Sequence, residues 1–218
     1  MTPKKIQYGI FNIHVRSERE YQDVHVLNEV IQNDCYSLAS LGFIPDTIID
    51  IGAHIGSFSL YANQLFPNAE IFCVEPEQDN YQLLKMNCPF ATCYRFAVGE
   101  KCKMSKVYQA TEQTGSNIVG TLDGHTNITR LGYHYEEKGS VVVVPIRQII
   151  ENIKGENILL KLDCEGAEYT ILETIREEDA SRVRGIIGEY HKTFKELRQD
   201  SFPHLTFTDK GKSLFCAK

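Results

Sequence analysis

Nothing in this 218-residue chain supplies a concentrated counter-charge to a phosphate backbone. Lysine and arginine are never gathered into a run, and the formal net charge is −6. Affinity for nucleic acids rests on neutralising phosphates with basic residues, so no nucleic-acid partner is expected. The N-terminal stretch has no uninterrupted apolar core of signal-peptide length, and no segment approaches the roughly 20 apolar residues that a transmembrane helix needs. The expectation is a cytoplasmic protein without a membrane span. C-x-x-C pairs are also absent, although there are seven cysteines. Most sit in apolar runs such as IFCVEP and SLFCAK and read as small core hydrophobes. Cys88 and Cys93 lie closest together, but no second pair follows at zinc-site spacing. Repeats, low-complexity tracts and linkers are missing as well, which leaves one catalytic domain as the expected organisation.

With 42% hydrophobic and 24% charged residues, the chain has the balance of a globular domain large enough to bury its own core. From Thr47 onward, short apolar runs alternate with amphipathic stretches, the rhythm of a doubly wound α/β fold with a mainly parallel sheet. The runs TIIDI (47–51), EIFCVE (70–75) and TCYRFA (92–97) read as the first three strands, nearly continuous in apolarity as strands covered on both faces are. Between them, 57–66 and 79–87 carry apolar residues at helical spacing, with Leu60, Leu65, Leu83, Leu84 and Met86 as inward candidates. The segments 103–109, 115–120 and 140–145 are short and β-prone. They define a β insertion around 101–145, in which Gly115, Ser116 and Asn117 read as a solvent loop or a lid. The rhythm resumes with a helix at 146–153, a strand at 157–162, a helix at 167–176 and a strand at 183–190. An antiparallel hairpin closes the chain, its strands at 205–208 and 213–217 flanking Asp209, Lys210 and Gly211. Residues 1–46, with Tyr21, Val24, Leu27, Val30 and Ile31 at roughly helical spacing, read as a helical cap or extension on a 47–218 domain.

The sequence Asp50-Ile51-Gly52-Ala53-His54-Ile55-Gly56 comes directly off a strand and opens a helix, which is where open α/β folds bind nucleotides. Its G-x-x-x-G spacing puts His54 where the dinucleotide fingerprint needs its middle glycine, so a pyrophosphate fits poorly and a nucleotide-dependent oxidoreductase is disfavoured. S-adenosylmethionine has no phosphate, and its carboxylate, ammonium and sulfonium suit a strand-end Asp50 beside bared backbone groups. Glu75 ends the second strand near the offset at which an acid accepts from both ribose hydroxyls. A solvated strand-end Glu is the plainer reading of that position, and a local hydrogen-bonding role that of His54.

Three carboxylates, Asp163, Glu165 and Glu168, surround the end of the fourth strand, which is expected beside the first. They can balance a sulfonium or accept a proton from a substrate hydroxyl. Their bland alternatives are a helix-capping Asp163, a helix-dipole role for Glu165 and an ordinary helix-face Glu168. Glu189 and His191 project to one side of the fifth strand if it stays extended. With an unperturbed pKa near 6.5, His191 could take a proton at neutral pH, or be structural. Asp163, Glu165, Glu189 and His191 could also gather Mg²⁺ or Ca²⁺, a rival to the metal-free reading.

The segments IIDIGAHIGSFSL, FCVEPEQDNYQLLKMN, FAVG, LLKLDCEGAEYTIL and IIGEYH, in that order, resemble the FkbM-type methyltransferases of the class I adenosylmethionine-dependent group. The resemblance spans roughly residues 47–191, and KLDCEGAE is its most telling part. It implies a seven-stranded sheet, S-adenosyl-L-methionine as donor, and O-methylation of a sugar, glycolipid or polyketide hydroxyl on a small-molecule acceptor. Carried over by position, Asp50, Gly52, His54, Gly56, Glu75 and Ala97 would hold the cofactor, and Asp163, Glu165, Glu189 and His191 would line the reaction pocket, where His191 or Asp163 accepts the proton. His54 stands where the family pattern has Asn. Residues 1–46 and the insertion match no motif, and substrate choice is expected to reside there. The Asn-Pro-Pro-Tyr pattern of methyltransferases acting on bases is absent. A catalytically silent adenosylmethionine-binding module acting through a partner is the alternative from a different class.

Overall fold

The computed structural model describes residues 1–110, 117–120, 135–191, 197, 202–211 and 214–217; Gly115 and Ser116 of the expected lid lie outside them. The chain opens with a β-hairpin, β1 (Pro3–Tyr8) and β2 (Phe11–Arg16), followed by α1 (Glu20–Leu27) and a single π turn. The helix expected across 1–46 is thus confined to its middle. In β2 the alternation that buries Ile13 and Val15 is the period of a strand, and Tyr21, expected on the apolar side of the helix, is 82% exposed.

The main sheet is built from β3 (Thr47–Ile51), β4 (Glu70–Val74) and β5 (Thr92–Tyr94), joined by α2 (Ser57–Leu65) and α3 (Gln78–Asn87). A second group of strands follows: β6 (Ala97–Gly99), β7 (Lys103–Ala110), β8 (Asn117–Gly120) and β9 (Tyr135–Pro145). The chain then returns to the main sheet through α4 (Ile146–Ile150), β10 (Ile158–Leu162), α5 (Glu168–Thr174), α6 (Glu177–Ala180), β11 (Val183–Glu189), β12 (Phe207–Gly211) and β13 (Leu214–Ala217). The seven-stranded order is β12-β13-β11-β10-β3-β4-β5, parallel except at β13, which runs antiparallel to both neighbours. This is the doubly wound sheet expected from the sequence. Among the described residues no helix is long and apolar enough to cross a membrane.

The strands at the centre read as unbroken apolar runs because both faces are covered. Ile49, Ile51, Leu160 and Leu162 point into a core shared with α4 and α5, whereas Ile48, Leu159 and Ile187 point into one shared with α2, α3 and the N-terminal hairpin. Leu60, Leu83 and Leu84 are buried as expected, but Met86, on the outer side of α3, is 45% exposed. The run 92–97 proves to serve two sheets. Tyr94 closes the pairing with β4, and from Ala97 the chain pairs with β9 in a four-stranded sheet ordered β6-β9-β7-β8.

The sharpest steric constraint lies where β3 ends. Gly52 has φ +79°, and a Cβ there would stand 1.7 Å from the carbonyl oxygen of Asp163. The neighbour is backbone and cannot swing aside. Gly52→Ala is expected to lower the free energy of unfolding in urea by at least about 2 kcal/mol, the scale of overpacking and strain at a fixed site. A loss under about 0.5 kcal/mol would mean that the turn has slack that its geometry denies.

Candidate active site

The carboxyl ends of β3, β4 and β10 meet where the strand order reverses, the position at which open α/β sheets leave a crevice. A cavity of about 490 Å³ opens there. Gly52 and His54 line one side, Val74 and Glu75 the end of β4, and Phe96 to Gly99 the next wall. Asp163 to Ala167 close the far side, and Ser105 and Val143 of the four-stranded sheet form part of the roof. Of the cofactor candidates, Gly52, His54, Glu75 and Ala97 reach this cavity.

Asp50 and Gly56 do not line it. Asp50 is fully buried, 3.1 Å from the ammonium of Lys161, and accepts a hydrogen bond from the Ser59 hydroxyl at 2.7 Å. It holds the base of the turn together and cannot be a direct cofactor ligand in this arrangement. Gly56 is required by Cys88 and Leu84 of the α3 layer, whose side chains would lie 2.5 and 3.1 Å from an added Cβ. Lys161 also donates to the Gly52 carbonyl at 2.6 Å and lies 3.9 Å from Asp163. Burial alone would discharge this lysine; the charges of Asp50 and Asp163 outweigh it and push its pKa above the ordinary value.

Glu75 is 3% exposed, and its carboxylate already accepts from the backbone N–H groups of Glu77 and His54 at 2.9 Å each and from Asn80 Nδ2 at 3.3 Å. A carboxylate has roughly four acceptor positions, so about one remains, on Oε2, rather than the two expected for a pair of ribose hydroxyls. Burial raises Glu75 to about 7 against the pull of those donors. His54, in the left-handed region at φ +53°, presents Nε2 to the guanidinium of Arg16 at 2.7 Å. Burial and the charges of Arg16 and Lys161 hold its pKa well below 6.5, so the ring is neutral.

At the other end the carboxylates and His191 converge. His191 Nδ1 is 3.1 Å from Glu168 and Nε2 is 3.4 Å from Glu165. The loop between β10 and α5 makes this possible. Glu165 takes φ +55°, and Glu168, fully buried, accepts from the N–H groups of Cys164 and Gly166. Burial works against a charged His191, but Glu168, Glu165 and Asp163 outweigh it and raise its pKa to about 9. The expectation of a free imidazole base at neutral pH is therefore replaced by an imidazolium between two carboxylates. Burial lifts Glu165 to about 7 against the opposing charge of His191; burial and the charge of Asp163 lift Glu189 to the same value. Burial opposes ionisation of Glu168 too, yet His191 and the backbone donors keep its pKa below the usual range. Glu168 thus organises the loop and is not an ordinary helix-face residue. Glu189 and His191 do not line the cavity. Ligand atoms of Asp163, Glu189 and His191 nevertheless all lie within 4.8 Å of one another.

Three residues that the sequence did not single out complete the site: Lys161, Arg16 and Tyr36. Tyr36, from the segment before β3, donates to Asp163 Oδ2 at 2.7 Å. Lys161 could have been suspected, since a lysine inside the apolar run ILLKL must find an anion. No comparable signal marks Tyr36.

Residues 50–210 match the model of the methyltransferase FkbM domain. The chain is 27% identical to the methyltransferase sdnD of Sordaria araneosa, over 86% of this chain and 82% of that protein. It is 23% identical to the 31-O-demethyl-FK506 methyltransferase FkbM of Streptomyces tacrolimicus, over 75% and 72% of the two chains. Among solved structures, the Thermus thermophilus 16S rRNA N2 G1207 methyltransferase RsmC aligns with a TM-score of 0.50 at 9% identity, over 99% of this chain and 44% of that one, a likeness of fold. This chain therefore belongs to the FkbM family of methyltransferases and carries a doubly wound α/β fold.

Proposed function

We propose that this protein transfers a methyl group from S-adenosylmethionine to a hydroxyl oxygen of an uncharged or cationic small molecule. The observation that carries the reading is one cavity with two chemically different ends. One is a buried, hydrogen-bonded cradle at Glu75 and His54; the other is the pair of carboxylates Asp163 and Glu165, backed by His191. The name of the Streptomyces tacrolimicus relative, which specifies a 31-O position, supports oxygen as the acceptor atom.

The residues present suit the donor. Val74, Phe96 and Val98 offer an apolar wall for a base, and Glu75 Oε2 retains an acceptor position for a ribose hydroxyl. His54 Nδ1 is a buried polar atom without a partner among the described residues. The volume falls in the range of small-molecule sites, roughly 300–1,000 Å³. Asp163 and Glu165 provide negative charge for an ammonium and a sulfonium. When bound, the donor supplies a methyl group on positively charged sulfur, and transfer to oxygen exchanges the S–CH₃ bond for an O–CH₃ bond and releases a proton.

Glu165 is the group we assign to that proton. It lines the cavity, and a pKa of about 7 leaves it partly ionised at neutral pH while making it a stronger base than an exposed carboxylate. Asp163, paired with the Tyr36 hydroxyl and close to Lys161, serves to orient. His191, protonated and anchored by Glu168, fixes Glu165 and offsets the charge of its neighbours. Four carboxylates at this end repel an anionic acceptor, which favours a neutral sugar-like or polyketide-like hydroxyl. Ser105 and Val143 in the roof support a share of acceptor choice for the four-stranded sheet. Clustering of Asp163, Glu189 and His191 favours one second reading, a divalent cation that lowers the pKa of the acceptor hydroxyl.

Glu165→Gln should lower kcat by about 10²–10⁴, the range for a general base, while the affinity for S-adenosylhomocysteine measured by calorimetry stays within about threefold. Full turnover in that variant would remove Glu165 from the role. The pH profile of kcat/KM should be a bell. Rate rises as the carboxylate group loses a proton near 7 and falls as the imidazolium loses one near 9, both values belonging to the coupled cluster. His191→Gln should abolish the alkaline limb; an unchanged limb would place it elsewhere. Dialysis against a chelator should leave turnover intact, and a loss restored by Mg²⁺ would establish the cation instead. Tight binding of the donor with no turnover on any hydroxylated acceptor would point to a silent binding module.

A further inference from the structure

Arg16 ends β2, in a segment that precedes the residues matched by the family model. It is 3% exposed, and an arginine is buried at little cost only when its donors are met. Asp23, itself fully buried, accepts from the Arg16 backbone N–H at 2.8 Å and from Nε and Nη2 of the side chain. The rest of the guanidinium points toward the donor end of the site. Nη1 donates to Asn80 Oδ1 at 2.6 Å, and Nη2 lies 2.7 Å from His54 Nε2.

These two contacts have defined chemical consequences, because a guanidinium carries donors and no acceptor. The His54 nitrogen facing it must present a lone pair, so the ring is neutral and its proton sits on Nδ1. That is the buried atom that has no partner among the described residues, on a side chain that lines the cavity. Asn80 must likewise present its oxygen to Arg16, which turns its amide nitrogen toward Glu75 Oε1 at 3.3 Å. The backbone N–H of His54 donates to the other Glu75 oxygen at 2.9 Å. One cation therefore holds the side chains of two of the three residues that donate to the Glu75 carboxylate, Asn80 and His54, without lining the cavity itself.

We infer that Arg16 is a positioning residue of the donor pocket, which locks His54 as the neutral Nδ1–H tautomer and fixes, through His54 and Asn80, the carboxylate of Glu75. The inference rests on reading this end of the cavity as the adenosylmethionine site. It assigns a function to the N-terminal hairpin: the polar end of β2 completes the cradle, and Asp23 balances its charge.

The tautomer is directly observable in ¹⁵N-labelled protein from long-range proton–nitrogen correlations of the histidine rings, with His54 assigned by its absence in His54→Asn. At pH 7 the expected ring has a protonated Nδ1 and an unprotonated Nε2. An Nε2–H ring or an imidazolium would overturn the inference, and this holds whether or not the protein binds adenosylmethionine. The second measurement is calorimetric affinity for S-adenosylhomocysteine. Arg16→Met combined with Asp23→Leu removes both buried charges, so neither is left unpaired and the fold is retained, as far-UV circular dichroism would verify. Affinity should fall about tenfold, the loss expected when hydrogen bonds to a charged group no longer orient the site, and the pH at which the His54 ring takes up a proton should rise relative to wild type while burial and Lys161 still hold it below the ordinary imidazole value. A folded double variant with unchanged affinity overturns the inference. If the double variant does not fold, the tautomer in the unsubstituted protein decides alone. Wild-type protein that shows the expected tautomer but binds no S-adenosylhomocysteine would refute the donor-site reading while leaving the hold of Arg16 on His54 intact.

Discussion

The site depends first on one buried cation. Lys161 stands near the carboxyl end of β10, registered opposite Asp50 of β3 at the centre of the sheet, with its ammonium 3.1 Å from that carboxylate and 2.6 Å from the Gly52 carbonyl. Rings of Tyr36 and Phe58 each lie 5.9 Å from the same nitrogen. A buried ion pair is no guarantee of stability, since desolvation can cancel the attraction. What it supplies here is uniqueness. A slip of one residue between β3 and β10 would leave a lysine and an aspartate unpaired in an apolar interior, so the pair fixes the register, and the register places the glycine turn against the loop that carries Asp163. Asp50 is consumed by this task, which is why a residue at the strand end does not serve the cavity.

The electrostatics of the two ends follow from what each end can exclude. Near Glu75 every charge is matched by a donor from the backbone, from Asn80 or, at one remove, from Arg16, and the ring of His54 stays neutral between two cations. Near His191 the carboxylates outnumber the cations. Burial, with the charge of neighbouring carboxylates added, makes Glu165 and Glu189 hold protons up to about pH 7, as burial does for Glu75 at the other end, and the carboxylates outweigh burial to make His191 hold its own to about 9. Protons at that end belong to the group as a whole, and a change at one member shifts the others. Such a cluster can accept a proton near neutrality with little reorganisation, because the donors that stabilise it are fixed in loop and helix before any reaction begins.

Much of this was legible in the sequence. TIIDI, EIFCV and ILLKL announce strands covered on both faces, and the turn from Asp50 to Gly56 together with Glu75 locates the crevice. The illegible parts share one physical cause: they depend on partners distant in the chain. Asp50 looks available until Lys161 is set beside it. The expectation for His191 began from an isolated imidazole, whereas its protonation is decided by Glu165, Glu168 and Asp163 on another loop. The N-terminal hairpin was obscured by the helical spacing between Tyr21 and Ile31, although Ile13 and Val15 alternate as a strand requires. Period alone cannot decide a segment this short, and packing on α3 does.

The first 46 residues supply side chains that contact the residues lining the cavity, although none of them lines it. Asn87 of α3 accepts from the His14 N–H at 2.7 Å and donates to the His14 and Ile55 carbonyls, which joins β2, α3 and the glycine turn in one hydrogen-bonded unit. Arg16 extends that unit to His54 and Asn80, and Tyr36 reaches across to Asp163 at the opposite end of the cavity. Both ends are thus supported from a single segment that passes behind the sheet's carboxyl edge. Because these supports are buried polar groups with demanding geometry, they tolerate little displacement. The residues that line the cavity are thus held by hydrogen bonds from this segment as well as by the sheet that frames them.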